Sequence, residues 1–390
     1  MTEGSGGQLG VGMVGHAFMG AVHSHAWRSA HRFFDLPMVP RLAVLGGRDL
    51  VRTKAAAAKY GFASVATDWR EVVASDDVAL VDICTPGDTH AEIAIAALAA
   101  GKHVLCEKPL ANSVAEAEEM VAAATEAATR GVRSMVAFNY RRVPAIAYAR
   151  KLVEEGRIGT VRHVRAVYLQ DWLSDEQAPM AWRLRKDKAG SGALGDLGAH
   201  IVDATQYLVG DLLTGVAAVT NTFVHKRPTD TGELDDVTVD DAALFLGRFA
   251  NGAVASFEAT RFALGRKNAM RVEVNGSLGS IAFDFESMNE LSYYDGSAGP
   301  SNGDAAGFRR ILVTEPTHPY VGAWWPPGHL LGYEHTFTHE VVDLVRAIAD
   351  GSDPRPSFAD GLRVQRVLEA VERSADRGSA WTAIETGGSA

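Results

Sequence analysis

Short apolar runs alternate with helical patterns along the first third of the chain. The strand candidates are 9–14, 41–45, 78–84, 103–106 and 134–138, and the helix candidates are 50–60, 89–100 and 113–130. Thr89 precedes Glu92, and Ser113 precedes Glu116, each with the spacing of a capping box at a helix start. This alternation is typical of a parallel, doubly wound sheet with helices on both faces. The sequence therefore predicts an α/β domain over residues 1–139.

The pattern changes near Asn139. Runs rich in Val, Thr, Tyr and Phe follow a helix candidate at 145–155, and turn signals such as Asn251-Gly252 separate them. The runs are 161–169, 216–224, 239–249, 253–262, 270–274, 280–285 and 310–314, and two closing helices are expected at 336–349 and 358–374. Because strands joined by tight turns pair antiparallel, residues 140–390 are predicted to form an α+β domain with one large, mainly antiparallel, open-faced sheet. We expect helices on one face of this sheet and a second subunit on the other.

Composition excludes several classes of protein. The 390 residues suggest about two domains, and the formal net charge of −10, without a basic run, argues against nucleic acid or an anionic membrane as partner. No apolar stretch approaches the roughly 20 residues that span a bilayer, and the opening residues do not resemble a signal peptide. The two cysteines lie in apolar runs, which is typical of a reducing compartment, so we expect a cytoplasmic protein.

A glycine turn follows the first strand. Residues 15–20 have the form G-x-A-x-x-G, in which the first glycine permits the turn and the last permits close packing of helix on strand. The following helix would present its N-terminus to a pyrophosphate. A dinucleotide is therefore predicted to bind at Gly15, Ala17, Phe18 and Met19.

The end of the second strand should distinguish NAD from NADP. An acid there would bind the ribose 2′-hydroxyl, and an arginine would favour a 2′-phosphate. Gly47 stands where the acid is expected, and Arg48 and Asp49 follow it. Arg48 could bind a phosphate or stack on adenine, and Asp49 could reach the ribose or cap the next helix. The choice between NAD and NADP stays open.

Two segments carry candidate catalytic side chains. Lys108 follows the fourth strand candidate, and ligands of open α/β sheets bind beyond the carboxyl ends of strands. Asp196 and His200 are four residues apart in a glycine-rich segment, so on a helix they would share one face. Taken alone, such a lysine is more often a surface residue, and such a pair is more often a structural hydrogen bond.

Together these segments resemble a known family of oxidoreductases. Five motifs occur in order, at 15–20, 84–90, 107–109, 139–142 and 195–200. In this combination the chain resembles the glucose–fructose oxidoreductase / inositol dehydrogenase / rhizopine-catabolism (Gfo/Idh/MocA) family. Details at 17–20, 23–27, 47–49, 169–172 and 181–184 are most similar to its levoglucosan dehydrogenase branch.

The resemblance implies an N-terminal Rossmann domain and a C-terminal sheet that builds a homodimer or homotetramer. It implies Lys108, Asp196 and His200 as the catalytic set, and a cis peptide bond before Pro109. The motifs add Thr85, Pro86, His90 and Glu107 to the residues expected at the cofactor. NAD is the cofactor expected for the branch, whereas Arg48 on electrostatic grounds alone would favour NADP. The departures from the family pattern are Ala17 in the fingerprint and Gly47 in place of an acid.

The expected reaction is oxidation of a secondary hydroxyl of a sugar, anhydrosugar or cyclitol to a ketone, with levoglucosan to 3-keto-levoglucosan as the best candidate. His200 is the expected base because its ordinary pKa suits neutral pH, and Asp196 would orient its ring or bind the substrate. Lys108 would stabilise the developing alkoxide, or alternatively accept the proton itself. The candidate substrate-binding residues are Tyr140, Arg142, Gln170, Trp172, Trp182, Arg183 and His335.

Two other functions compete with this prediction. A related glycosidase or lyase would retain NAD and return the hydride in each cycle, and a nucleotide-sensing protein could use the same fold without catalysis. No metal is expected, because the histidines at 16, 23, 25 and 31 lack acidic or thiol partners at ligand spacing in the sequence.

Overall fold

The computed structural model describes residues 7–297, 304 and 306–385. The chain divides into two compact units, the first formed by Met1–Arg142 and Leu331–Leu362 and the second by Val143–Leu330 and Arg363–Ala390. The first unit thus includes a segment near the end of the chain that the sequence assigned to the second domain. The boundary at 139/140 stays a prediction.

Strands and helices are numbered along the chain. The strands are β1 Gln8–Val14, β2 Val39–Gly46, β3 Ser64–Ala66, β4 Leu80–Ile83, β5 His103–Cys106, β6 Ser134–Val136, β7 Val161–Leu169, β8 Leu213–Asn221, β9 Lys226–Pro228, β10 Leu234–Asp236, β11 Ala242–Phe249, β12 Val254–Thr260, β13 Ala269–Gly276, β14 Gly279–Asp284, β15 Glu290–Asp295, β16 Arg309–Leu312 and β17 Thr382–Ala383. The helices are α1 Phe18–Phe33, α2 Leu50–Tyr60, α3 Trp69–Ala74, α4 His90–Ala99, α5 Val114–Ala128, α6 Pro144–Glu154, α7 Lys186–Ala189, α8 Ala199–Val209, α9 Tyr333–Asp350 and α10 Phe358–Asp376.

The first unit is built on a parallel six-stranded sheet in the order β3-β2-β1-β4-β5-β6. This is the doubly wound order of a dinucleotide-binding domain, so the predicted N-terminal fold class is confirmed. The central strands are mostly apolar because helices cover both faces of a parallel sheet, and the buried exception on β4 is Asp82. Val11, Leu80 and Leu105, one from each central strand, are fully buried.

Helix α9 belongs to this unit because it packs on α1. Phe337 of α9 lies 5.2 Å from the His23 ring of α1, and His339 lies edge-on against Phe34 at 5.9 Å. The apolar face of α1 therefore depends on a helix from the far end of the sequence.

One predicted helix cap is confirmed and the other is wrong. Ser113 and Glu116 form the capping box at the start of α5. Thr89 makes no side-chain cap, because a 3-10 turn at Gly87–Thr89 leads directly into α4. Its hydroxyl donates instead to the Pro86 carbonyl at 2.9 Å.

The second unit contains a nine-stranded sheet in the order β16-β15-β14-β13-β7-β12-β11-β8-β17. All neighbours pair antiparallel except β7 and β12, which pair parallel. The predicted large, mainly antiparallel sheet is therefore confirmed. Helix α8 packs against β7 and β13, and α6 packs against α8.

The opposite face of this sheet exposes aliphatic side chains. Leu244 of β11 pairs with Val219 of β8, and they are 47% and 56% exposed. Leu246 and Val254 extend the same face and are 60% and 45% exposed. On the inner face, Phe245 and Phe257 stack at 4.4 Å.

Candidate cofactor and catalytic sites

The turn after β1 has the geometry of a pyrophosphate cradle. Gly15 has a φ of 99°, in the left-handed region, and a Cβ there would lie 2.6 Å from the Cys84 carbonyl oxygen. A Cβ on Gly20 would lie 2.3 Å from the Gly15 carbonyl oxygen, so the turn and α1 require both glycines. Ala17 precedes α1 without a side-chain cap, and the first turn of α1 has no acidic residue. The N-terminal N–H groups of this helix therefore fit an anionic dinucleotide.

The end of β2 is crowded beside Gly47. A Cβ on Gly47 would lie 2.7 Å from the His16 ring and 2.5 Å from the Thr53 hydroxyl, and His16 and Thr53 are themselves 3.2 Å apart. Asp49 caps α2 by accepting the backbone N–H groups of Val51 and Arg52 at 2.9 and 3.0 Å. The backbone N–H of Arg52 is the main reason that the pKa of Asp49 is lowered. Of the two roles considered for Asp49, binding the ribose and capping the helix, the structure shows helix capping.

Lys108 lies directly after β5 in a turn fixed by its neighbours. The Lys108–Pro109 peptide bond is cis, which confirms the implication of the resemblance. Glu107 is only 4% exposed, and its carboxylate accepts the backbone N–H of Lys108 at 3.0 Å. On the other side, the ring of buried His90 lies 3.0 Å from the Pro109 carbonyl and 2.9 Å from that of Thr85. His90 therefore joins two loops at the carboxyl edge of the sheet.

Glu107 also contacts His23, a residue that sequence reasoning did not assign to the site. His23 Nε2 lies 2.9 Å from Glu107 Oε1, and His23 Nδ1 lies 3.0 Å from both carboxylate oxygens of Asp82. The Trp27 indole donates to Asp82 at 2.7 Å, and the Cys84 thiol donates to the same carboxylate at 3.5 Å.

His23, Asp82 and Cys84 are the one group of described residues close enough together to hold a metal ion. The premise that the early histidines lack acidic or thiol partners is therefore wrong for His23, because Asp82 on β4 and Cys84 directly after it supply both partners from more than fifty residues away. Burial raises the pKa of the Cys84 thiol, which opposes the thiolate that a metal needs. The Asp82 carboxylate is already an acceptor for Trp27 and His23, so hydrogen bonding accounts for this cluster without a metal.

In the second unit, a glycine-rich segment carries Asp196 and His200. Gly192 and Leu194 donate their backbone N–H groups to the Asp240 carboxylate at 2.7 and 2.8 Å. Residues Leu194–Gly198 form a π-helical turn that continues into α8. The expectation of one regular helix for Asp196 and His200 is wrong in this respect, because Asp196 lies in the π turn and His200 in α8. Such turns occur frequently at functional sites.

Arg261 lies next to Asp196. Its guanidinium, fully buried, is 4.0 Å from the Asp196 carboxylate and donates to the Asp240 carbonyl at 3.0 Å. The same guanidinium lies 5.5 Å from the Trp172 ring. Arg261 thus links a predicted catalytic residue with a predicted substrate-binding residue, although nothing in its local sequence distinguishes it.

Tyr168 lies next to His200, with ring centroids 5.9 Å apart. The Tyr168 hydroxyl and the Gln170 amide both donate to Asn268 Oδ1 at 2.7 Å. The Gln170 amide oxygen accepts the Trp172 indole N–H at 2.9 Å. The structure therefore brings Gln170 and Trp172 to the Asp196–His200 segment and adds Tyr168, which the alternation of β7 placed on the same face as Gln170.

Trp182 and Arg183 form a pair of their own. They lie in a 3-10 turn at Trp182–Leu184, and the Arg183 guanidinium is 4.4 Å from the Trp182 ring. Trp182 is 38% exposed, so the pair presents a surface to solvent. Its role at the substrate stays a prediction.

The remaining three candidates lie in the first unit and have structural partners there. Arg142 is 2% exposed, lies 2.9 Å from Asp343 and 3.5 Å from Glu340, and donates to the Arg355 carbonyl. These bonds occupy the guanidinium within the interior, and the role of Arg142 at the substrate stays a prediction. His335 Nδ1 accepts the Gly332 N–H at 3.0 Å and so caps α9. Tyr140 is 4% exposed and packs against Tyr333.

Two family models match this chain. One, described as an oxidoreductase family with an NAD-binding Rossmann fold, matches residues 9–138, and the other, described as the GFO/IDH/MocA C-terminal domain, matches residues 146–282. The chain belongs to the GFO/IDH/MocA oxidoreductase family. Among the described helices of this oxidoreductase, none is both long and apolar enough to span a bilayer.

Known relatives cover nearly the whole chain. Levoglucosan dehydrogenase of Pseudarthrobacter phenanthrenivorans is 42% identical over 95% of this chain and 97% of its own length. A crystal structure of an oxidoreductase domain protein from Kribbella flavida is 66% identical, with a TM-score of 0.94 over 97% of this chain and 100% of that one. The structure of levoglucosan dehydrogenase in complex with NADH and levoglucosan is 42% identical, with a TM-score of 0.92 over 97% and 99% of the two chains.

Proposed function

We propose that this oxidoreductase transfers a hydride from a secondary carbinol of an anhydrosugar to NAD, with levoglucosan as substrate and 3-keto-levoglucosan as product. The relative with 42% identity over nearly the full length is a levoglucosan dehydrogenase, solved with NADH and levoglucosan. The observation that carries the proposal is the position of Lys108. It lies directly after β5, at the same carboxyl edge of the parallel sheet as the glycine turn after β1.

Each catalytic candidate has a distinct role. Bound NAD supplies the nicotinamide carbon that accepts the hydride. Lys108 donates a hydrogen bond to the reacting oxygen, and its charge stabilises the developing alkoxide. His200, 6% exposed and beside Tyr168, takes the hydroxyl proton. Asp196, beside the Arg261 guanidinium, orients the imidazole or the substrate.

Gln170 and Trp172 are the proposed wall of the sugar site. Trp172 offers a flat apolar face that is 46% exposed, and its indole N–H holds the Gln170 amide. An aromatic face beside a few fixed polar groups suits a polyhydroxylated ring that has apolar faces.

The proposal is tested by a substrate screen with both cofactors. Purified protein is incubated with NAD or NADP and with levoglucosan, inositols, glucose, galactose or xylose, while the absorbance of reduced cofactor is followed. We expect reduced cofactor with NAD and levoglucosan. Turnover of sugar without net reduced cofactor would instead identify an enzyme that returns its hydride, and binding of NAD without turnover would identify a sensing protein.

Variants of the catalytic candidates test the roles. Lys108→Ala and His200→Ala are each expected to lower kcat by about two to four orders of magnitude, as general acid–base and electrostatic catalysis require. Lys102→Ala is a matched control, because Lys102 binds backbone carbonyls at the opposite end of β5. Near wild-type turnover in Lys108→Ala or His200→Ala removes that residue from the mechanism.

A second copy of the chain is the proposed partner of the exposed sheet face. Val219, Leu244, Leu246 and Val254 form an apolar surface on a sheet whose other face carries helices. Burial of this surface in a homodimer or homotetramer removes it from water. Leu244→Asp combined with Leu246→Asp should lower the mass measured by light scattering, and an unchanged mass would exclude this interface.

The cytoplasm is the proposed location of the enzyme. Both cysteines of the described residues are free, which agrees with a compartment where thiols stay reduced.

A further inference from the structure

Three buried ionisable side chains form a row beneath the Lys108 turn. Asp82 on β4, His23 on α1 and Glu107 after β5 are 0%, 1% and 4% exposed. The imidazole ring lies between the two carboxylates, with Nδ1 3.0 Å from Asp82 and Nε2 2.9 Å from Glu107. The row ends at the backbone N–H of Lys108, which donates to the other oxygen of Glu107 at 3.0 Å.

The partners of the row determine where its protons lie. Each carboxylate accepts from further donors, Asp82 from the Trp27 indole and the Cys84 thiol, and Glu107 from the Lys108 N–H. A neutral imidazole carries only one N–H, so it would bind one carboxylate and direct a lone pair at the other. Only an imidazolium donates to both, and it also compensates one of the two buried negative charges.

Electrostatics agree with this assignment. Burial is the largest single influence and lowers the pKa of His23, but the charges of Asp82 and Cys84 and the hydrogen bonds to both together outweigh it, and the pKa is held well above its ordinary value. The ionisable groups that face His23 from α9 are Tyr333 and Glu340. Burial raises the pKa of Glu340 to about 8 and that of Tyr333 well above its ordinary value, so neither adds full negative charge at neutral pH.

We propose that His23 is a positioning residue for Lys108: as an imidazolium it joins Asp82 to Glu107 and thereby fixes the turn that carries the lysine. The inference rests on the proposed function of Lys108. The buried charged hydrogen bond from His23 restrains the Glu107 carboxylate, which would move more freely if water solvated it. Glu107 in turn accepts the backbone N–H of Lys108 and so restrains the turn. His90 holds the following residue, Pro109, so the turn is fixed on both sides.

The first test needs neither turnover nor a variant protein that folds. The ¹⁵N shifts of the His23 ring and its two N–H protons are measured in the wild-type protein at about pH 8, where an exposed histidine is neutral. We expect both nitrogens to be protonated, and His31 on the same helix, whose pKa is lowered chiefly by burial, to be neutral. A His23 ring with one proton at that pH overturns the proposal.

The second test is a double-mutant cycle with levoglucosan and NAD. We expect His23→Gln and Glu107→Gln each to lower kcat about 10- to 100-fold, the usual effect of losing a partner that orients a functional group, with a much smaller change in KM. Because both act through one turn, the double variant should be no slower than the slower single variant. His31→Gln is the matched control and should keep wild-type kcat.

The outcomes separate this inference from the proposed function. A folded His23→Gln protein with wild-type kcat, or fully additive effects, refutes the positioning role. Full activity in Lys108→Ala refutes the proposed role of the lysine. The ring protonation of His23 would still show whether His23 is an imidazolium between Asp82 and Glu107.

Discussion

The Asp240 carboxylate accepts the backbone N–H of Gly192 at 2.7 Å, and this bond anchors the segment that carries Asp196 and His200. The approach is close, because a Cβ on Gly192 would lie 1.7 Å from the Asp240 carbonyl oxygen. A remote aspartate on the chain therefore determines where the candidate catalytic helix begins.

Replacing this anchor should impair both stability and catalysis. The two carboxylate oxygens of Asp240 accept the backbone N–H groups of Gly192 and Leu194, one each. In Asp240→Asn the side-chain NH2 group takes the place of one oxygen. It then faces a backbone N–H, so one hydrogen bond is replaced by two donors that point at each other. We expect the free energy of unfolding to fall by about 1–3 kcal/mol and kcat to fall with little change in NAD affinity. Denaturant unfolding and steady-state kinetics measure both effects, and Asp230→Asn, at an exposed position, is the control. Unchanged kcat in a folded Asp240→Asn protein would contradict the anchoring role.

An acid at position 47 should weaken cofactor binding in this enzyme, although such an acid binds the ribose in many NAD enzymes. The side chain of Gly47→Asp would enter the space of His16 and Thr53. Overpacking of this kind costs about 1–3 kcal/mol, so the Kd for NAD should rise about tenfold, which calorimetry can measure. The double variant Gly47→Asp with His16→Ala removes the contact with the His16 ring but keeps that with Thr53, so it should recover part of the affinity. A tighter Kd in the single variant would show that the crowding is harmless.

Trp172 should affect substrate binding more than the chemical step. Trp172→Phe keeps an aromatic face but loses the indole N–H that holds Gln170 at 2.9 Å. We expect KM for levoglucosan to rise about threefold to tenfold, because one neutral hydrogen bond contributes about 0.5–1.5 kcal/mol, with kcat nearly unchanged. Steady-state kinetics provide both constants. Trp381→Phe, at a position that is 54% exposed, is the control, and a fall in kcat alone would place Trp172 in the chemical step instead.

Two neighbours on α9 should give stability opposite pH dependences. Burial lowers the pKa of His339 from 6.5 to about 3, so the unfolded chain binds more protons between these values and stability rises with pH there. Burial raises the pKa of Glu340 from 4.5 to about 8, against the opposing charge of Arg142. In that window the folded state binds more protons, so stability falls as pH rises.

These windows can be separated by substitution. The difference in melting temperature between wild type and Glu340→Gln should decline from about pH 4.5 to about pH 8, and the difference for His339→Gln should increase from about pH 3 to about pH 6.5. Asp343→Asn on the same helix, half-buried beside Arg142, is a control for charge change alone. Parallel melting curves across the pH range would contradict a neutral His339 and a protonated Glu340 in the folded protein.

The sequence predicted the regular elements well because their signals are local. The apolar runs that became β5 and β7, and the Ser113–Glu116 box of α5, are encoded within a few residues. The elements missed were short or polar, such as β3 with three residues and β15, which begins at Glu290. The π-helical turn at Asp196 was missed because the spacing of four residues fits it as well as an α-helix.

The site was predicted only where a motif marks it. Lys108, Asp196 and His200 stand in motifs that imply their roles, whereas Arg261 and Asn268 stand in none, and the segment 23–27 gave no role to His23. These three residues acquire their importance from partners 65, 100 and 59 residues away. Arg142 shows the opposite relationship between motif and partners. It stands in a motif, but its partners Glu340 and Asp343 lie on α9, about two hundred residues later in the sequence. No local sequence pattern predicts these two contacts.

That late helix also affects how the protein can be made. The nucleotide-binding unit is not complete when residue 142 leaves the ribosome, because α9 must still be synthesised before it can cover α1. Until then His23 and Phe34 lack their ring contacts with Phe337 and His339, and the nascent chain offers a surface to chaperones. A gene fragment that stops after β6 would encode every strand of the parallel sheet and still be expected to aggregate.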